Sequence, residues 1–199
     1  MRTRAFILPV AFFAVIILAA IGAPAFAGSV HLTGSLSADF LKGPSAQQII
    51  DSFTSTGQPP FSGFGWEVII GKVGLGGEYD ASFFRTTTGA WWLDWYSQPL
   101  FLSYHFFRTG YFLDPFLQAG LGGAGRVHLD EWTGSDASNL YISIFPFIAG
   151  GLSLDLSGLL LSGKVSYAPF MTPPPATVFS NSPLGSVQVT LSAGIALDW

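Results

Sequence analysis

At 199 residues with only 10% of them charged, against about 25% in an ordinary soluble domain, the chain carries too little charge to face water on every side. Its formal net charge of −4 supplies no basic patch for a phosphate backbone, which argues against a nucleic-acid partner. The absence of cysteine excludes a disulfide framework, a thiolate metal site and a lipid-modified N-terminal cysteine.

The N-terminus reads as a signal peptide over residues 1–27. Arg2 and Arg4 form a positive n-region, Ala5 to Ile21 is almost wholly apolar, Pro24 ends the helix, and Ala25-Phe26-Ala27 supplies the small-x-small cleavage pattern. The competing reading is an uncleaved membrane anchor. Cleavage would start the mature chain at Gly28 and leave 28–199 for one small β-barrel. After residue 21 no segment holds the ~18 consecutive apolar residues of a membrane helix, although 49% of the chain is hydrophobic. Apolar on average without long apolar runs is the pattern of alternating strands.

The segments alternate in turn. Val30, Leu32, Leu36, Ala38 and Phe40 oppose His31, Thr33, Ser35, Ser37 and Asp39. Phe64, Trp66, Val68 and Ile70 oppose Gly65, Glu67 and Gly71; Leu75, Tyr79, Ala81 and Phe83 oppose Gly76, Glu78, Asp80 and Ser82. The fourth segment, Trp91 to Phe106, changes phase near Gln98-Pro99, where a bulge is expected because proline cannot donate to the ladder. In the fifth, Tyr111, Leu113, Leu117, Ala119 and Leu121 oppose Asp114, Gln118, Gly120 and Gly122. The sixth, Leu140 to Leu154, has apolar residues on both faces, so its register stays open. In the seventh, Leu159, Leu161, Val165 and Tyr167 oppose Ser162, Lys164 and Ser166. The last is the most regular: Val187 through Trp199 at odd positions is apolar, and Ser186 through Asp198 at even positions is polar or small. Period two over that length does not fit a helix. About eight strands predict an all-β fold, an antiparallel up-and-down transmembrane β-barrel.

Connections alternate long and short, as in outer-membrane barrels with short periplasmic turns, long external loops and both termini periplasmic. A soluble barrel has no reason to sort its loops this way. Within the long 41–62 connection, Ala46 to Phe53 reads as two helical turns ahead of Pro59-Pro60. Asp130, Glu131 and Asp136 make an acidic loop without EF-hand spacing, and Thr172 to Ala176 carries three consecutive prolines. Phe64, Trp66, Phe83, Trp91, Trp92 and Trp95 are expected at the external rim, and Phe106, Tyr111 and Trp199 at the periplasmic one.

The C-terminal octapeptide Ser192-Ala193-Gly194-Ile195-Ala196-Leu197-Asp198-Trp199 resembles the terminal signal of outer-membrane barrels, polar-x-Gly-x-x-apolar-x-aromatic. Ser192, Gly194, Leu197 and Trp199 fill its four positions, with Trp199 where phenylalanine is commoner. Together with the strand count, this resembles the small barrels typified by the OmpA membrane domain, OmpX and OmpW. The resemblance implies an integral outer-membrane protein that meets lipid and lipopolysaccharide and whose last strand is read by the barrel-assembly machinery. It implies a bare barrel, without a peptidoglycan-binding domain.

Three readings of function follow. In the first, lumen-facing Glu67, Glu78, Asp80, Asp94, Asp114, Gln118, Arg126, Lys164 and Gln188 form a polar plug, with Lys164 paired to Glu67 or Glu78. The barrel then acts through its external loops or as an envelope component. The second is a narrow OmpW-like channel for small or apolar solutes, with Phe145 and Phe147 lining the passage unless bulges at Pro99 and Pro146 turn them to lipid. The third is a lipid-modifying enzyme, in which Ser103 and His105 share a face and await an acid. That face is the lumen and no glycine-framed nucleophile surrounds Ser103, so the chain is read as not an enzyme. The three histidines lack metal-ligand spacing, and no motif calls for a cofactor.

Overall fold

Alternation gives each segment one apolar face and one small or polar face. Closing the sheet separates the two and gives every strand a partner on both sides. The computed structural model describes residues 28–40, 45–54, 60–85, 89, 91–107, 111–129, 140–171 and 186–199. The signal-peptide region, the acidic residues Asp130, Glu131 and Asp136, and the proline run within 172–176 lie outside them.

The strands are β1 (Gly28–Phe40), β2 (Phe61–Ile70), β3 (Val73–Arg85), β4 (Trp91–His105), β5 (Leu113–His128), β6 (Leu140–Leu156), β7 (Leu159–Tyr167) and β8 (Val187–Asp198). Each pairs antiparallel with its neighbour in sequence, and β1 pairs with β8 to close an eight-stranded barrel. At the seam Gly28 and Trp199 exchange backbone hydrogen bonds of 3.2 and 3.0 Å. The β2–β3 and β6–β7 turns, Gly71-Lys72 and Ser157-Gly158, lie at the same end of the barrel as both strand termini. Gly71 (φ 67°), Ser157 (62°) and Gly158 (98°) take the left-handed conformations that two-residue hairpins demand. We call this the turn rim and the opposite end the loop rim.

On the loop side, helix α1 (Ala46–Thr54) forms where Ala46, Ile49, Ile50 and Phe53 recur at helical spacing. A capping box starts it: the Gln48 N–H donates to Ser45 Oγ (3.3 Å) and the Ser45 N–H to Gln48 Oε1 (2.8 Å).

The outer face is apolar on every strand: Ile144 is 77% exposed and Leu102 61%, while Asp94, Ser37 and Ser166 inside are at 0%. The bulge falls where proline predicts it. Register shifts between Ser97 and Leu100, so Pro99 and Leu100 both point outward and the inward parity passes from Gln98 to Phe101. β6 has no such break. Pro146 pairs opposite Leu121, and the strand alternates inward Ser143, Phe145, Phe147 and Ala149 with outward Ile142, Ile144, Pro146 and Ile148. Among the described residues, β7 pairs with β6 only from Ile148 onward, so Pro146 sits on edge, where a missing donor is tolerated.

Two aromatics expected at the loop rim lie elsewhere. Trp92 points into the lumen and stacks on His128 at 4.5 Å. Trp66 is only 6% exposed and lies at mid-strand, opposite Gly77.

The lumen is narrow, so inward rings need inward glycines. A Cβ at Gly122 would lie 2.5 Å from Phe145 Cε2, one at Gly76 2.5 Å from Phe101 Cζ, and one at Gly151 2.5 Å from Phe116 Cζ. The rings thus occupy volume that any side chain at those positions would claim. Gly122→Val should therefore lower unfolding stability by about 1–3 kcal/mol, measured by reversible urea unfolding in lipid vesicles. The Phe145→Leu change should recover part of that loss in the double variant, and a stable Gly122→Val would refute the packing account.

Candidate functional site

The polar residues of the inward face come together in three layers. Near the loop rim, Arg126 clamps Asp94 with two bonds, Nε to Oδ1 at 2.6 Å and Nη2 to Oδ2 at 2.7 Å. The guanidinium also lies over Phe84 (5.1 Å) and Trp92 (5.4 Å). A planar fork held bidentately and packed against aromatic rings is the geometry in which a buried arginine keeps its charge satisfied.

In the middle layer, Asp80 accepts from Ser35 (2.6 Å), Ser37 (2.8 Å) and Gln188 Nε2 (3.4 Å). Lys164 Nζ donates to Glu78 Oε2 and to Gln98 Oε1 (3.0 Å), while Gln98 Nε2 donates to Ser166 Oγ (3.2 Å). Of the two carboxylates considered for Lys164, Glu78 is the one in contact. Gln98 reaches this network as the last inward residue before the bulge, in phase with Asp94 and Tyr96. The sequence signal was present in the phase change, yet the lumen set omitted this residue, together with Ser35, Ser37 and Ser166.

Glu67 belongs to the third layer, at the turn rim. Ser103 Oγ donates to Glu67 Oε1, and His105 lies between two carboxylates, Nδ1 at 2.5 Å from Asp114 Oδ2 and Nε2 at 3.2 Å from Glu67 Oε1. His31 Nδ1 stands 4.0 Å from Glu67 Oε2. Ser103 Oγ lies 3.3 Å from His105 Nε2, so Asp114 completes a serine–histidine–acid array. Ser103 is 4% exposed with its hydroxyl engaged by Glu67, and the backbone around it is paired in the β3–β4–β5 ladder. His105 is shared between the Asp114 and Glu67 carboxylates.

Between the turn-rim and middle layers lies a cavity of about 50 Å³, lined by Thr33, Glu67, Glu78, His105, Gln118 and Lys164 among others. Glu78 Oε1 and Gln118 Oε1 accept no hydrogen bond from protein, and the polarity and volume suit a few ordered waters. Toward the loop rim the lumen is filled by apolar side chains. Phe61, Tyr96, Phe101, Phe145, Phe147 and Met171 form one cluster, with Tyr96 and Phe145 centroids 5.5 Å apart. Phe145 and Phe147 face inward, at 1% and 2% exposure, and pack against neighbours instead of lining an opening.

Among the described residues, no group of three or more histidine or acidic side chains is placed to hold a metal ion. Of the C-terminal residues, Ser192 borders the cavity between the layers and the others lie outside them. Ser192 faces inward and shares a 2.5 Å hydrogen bond with Ser162, Gly194 lies against the Leu32 carbonyl, Leu197 faces out, and Trp199 covers Gly28.

No protein-family model and no curated protein sequence matches the chain. Solved structures do. Ail, the attachment invasion locus protein of Yersinia pestis, solved in complex with the heparin analogue sucrose octasulfate, superposes with a TM-score of 0.52 at 13% identity, covering 86% of this chain and 99% of its own. The N-terminal β-barrel domain of Pseudomonas aeruginosa OprF gives 0.53 at 15% identity, covering 85% and 97%. The chain has the fold of the small eight-stranded outer-membrane barrels. At these identities the likeness is one of fold alone.

Removing one partner of the Lys164–Glu78 pair would strand a buried charge. Lys164→Ala should destabilise the barrel by about 3–5 kcal/mol, and Lys164→Met with Glu78→Leu should restore most of that. Urea unfolding of the three proteins side by side checks this. An unchanged midpoint for Lys164→Ala would remove the pair from the lumen's supports.

Proposed function

We propose that the chain is an integral barrel of the bacterial outer membrane with a closed lumen, exported by residues 1–27. It acts as an envelope component or through its external loops. The turn rim and both barrel termini face the periplasm in this reading, and the loop rim faces outside. The observation that carries it is the division of the wall: apolar side chains are exposed on all eight strands, while the charged groups of the lumen are met by partners inside. An exposed apolar belt of this extent is stable against hydrocarbon and unstable against water.

The aromatic cluster and the Asp94–Arg126 clamp support a plug over a channel, because both lie across the path a solute would take. The turn-rim array holds charge and is no catalytic centre. Ser192, Gly194, Leu197 and Trp199 are the residues that would present the last strand to the assembly machinery.

Ail was solved with a polysulfated sugar analogue. This chain offers little for such a ligand: Arg126 and Lys164 are engaged inside, and the sequence of the loop side adds Lys42 and Arg85 against Asp51, Asp130, Glu131 and Asp136. An external partner that is neutral or cationic, or lipopolysaccharide bridged by divalent ions, suits that balance better than a polyanion.

Refolded protein spanning residues 28–199 should be silent in planar bilayers once heat-modifiable gel mobility shows that it has folded. The combined Tyr96→Ala, Phe145→Ala and Phe147→Ala variant should show reproducible current steps. Steps from the unsubstituted protein would replace the plug with the channel.

A further inference from the structure

The outer wall is not uniformly covered. Two adjacent rows of outward side chains run along the hydrogen-bonding direction. One follows Val73, Tyr104, Leu117, Gly150 and Val165 through successive pairings from β3 to β7. The other follows Leu102, Ala119, Ile148 and Tyr167. Gly150 in one row and Ala119 in the other leave low points between large neighbours, and the result is an apolar groove of about 680 Å³ on the lipid-facing side.

Its course follows from the shear of the barrel. Val73 is the first residue of β3, directly after the turn rim, whereas Tyr167 is the last residue of β7, toward the loop rim. The groove therefore starts at the turn rim and climbs into the apolar belt. Crossing from β3 to β7 takes four inter-strand spacings, roughly 19 Å. That is a long apolar slot along the wall, able to take a hydrocarbon chain.

The lower end carries the charge that a lipid of this kind would need. Lys72 immediately precedes Val73, is exposed, and donates from Nζ to the Phe106 carbonyl at 2.9 Å. The Phe106 ring packs edge-on against Tyr104, a wall of the groove, at 5.5 Å. Phe106, Phe107 and Tyr111 are 45%, 44% and 58% exposed at this rim and mark the headgroup level, where aromatic rings settle. The ammonium is thus at phosphate depth beside the groove mouth, with donors left over for an anion.

We infer that this groove is a binding site for one phospholipid of the periplasmic leaflet, its acyl chain lying over Ala119 and Gly150 and its phosphate held by Lys72. The inference rests on the membrane orientation proposed above. An anionic headgroup such as phosphatidylglycerol is favoured over a zwitterionic one, since Lys72 is the cation that the described residues bring to it. Lipopolysaccharide is the wrong occupant because the mouth opens toward the periplasmic leaflet.

Gly150 is the place to test it. A Cβ there meets Leu117 Cδ2 at 3.4 Å, ordinary contact, so a larger side chain projects into the groove and not into the wall. The full chain, refolded and transferred to detergent micelles doped with equal phosphatidylglycerol, phosphatidylcholine and lipopolysaccharide, is read by native mass spectrometry. The expected result is one retained phosphatidylglycerol. Gly150→Phe should lower its occupancy by about tenfold, and Ala119→Leu serves if that variant folds poorly. Lys72→Gln should erase the preference for phosphatidylglycerol over phosphatidylcholine, and Ala193→Phe, on the outward face of β8, should change nothing. Equal retention by Gly150→Phe and the unsubstituted chain, or a lipopolysaccharide adduct instead, would overturn the site while leaving the barrel reading standing. Failure of the expressed protein to fractionate with outer membranes in heat-modifiable form would overturn the membrane reading itself.

Discussion

The narrowness of an eight-stranded lumen is the constraint on which the rest of this structure depends. Eight strands leave an interior only wide enough for side chains. Each inward position must therefore fit its neighbours in volume and, if polar, find a partner within the same small space. The glycines at 76, 122 and 151 answer the first demand by yielding room to Phe101, Phe145 and Phe116. The Arg126–Asp94 and Lys164–Glu78 pairs answer the second. Because buried ions are tolerated only when matched, the inside of the barrel reads as a list of pairs. The outside, under no such demand, is simply apolar.

Period two carried most of the architecture in the sequence. It located the strands, and the phase change at Gln98-Pro99 located the bulge, because proline's missing donor and the parity switch are both local properties. β6 resisted the same treatment. Phe145 and Phe147 are apolar and inward, Ile144 and Ile148 apolar and outward, so hydrophobicity alone does not separate its faces. The parity rule was available for Trp92, which lies two residues before Asp94 and so shares its inward face. The association of tryptophan with membrane interfaces pulled it to the rim instead.

Pairing inside the lumen was less legible for a different reason. Which acid meets Lys164 depends on the stagger between strands accumulated around the barrel, and alternation along one strand says nothing of stagger. Glu67 and Glu78 both point inward, but only the observed register sets Glu78 beside the lysine. The serine–histidine–acid array at the turn rim makes the same point. Ser103 and His105 share a face that alternation reveals, but only the register brings Asp114 and Glu67 to them.

The seam between β1 and β8 joins the beginning of the barrel to its end, Ser29 facing Asp198 and Gly28 bonded to Trp199. No other strand pair brings together residues so distant along the chain, and none can form later in synthesis. Seven hairpin-linked pairings are available to a partly delivered polypeptide, but the ring cannot shut until β8 itself is delivered. Closure is thus an entropically expensive late event of high contact order, and its rate is governed by how long two ragged edges stay open in or beside the bilayer. A chain lacking β8 would keep its six earlier hairpin pairings and still remain an open sheet.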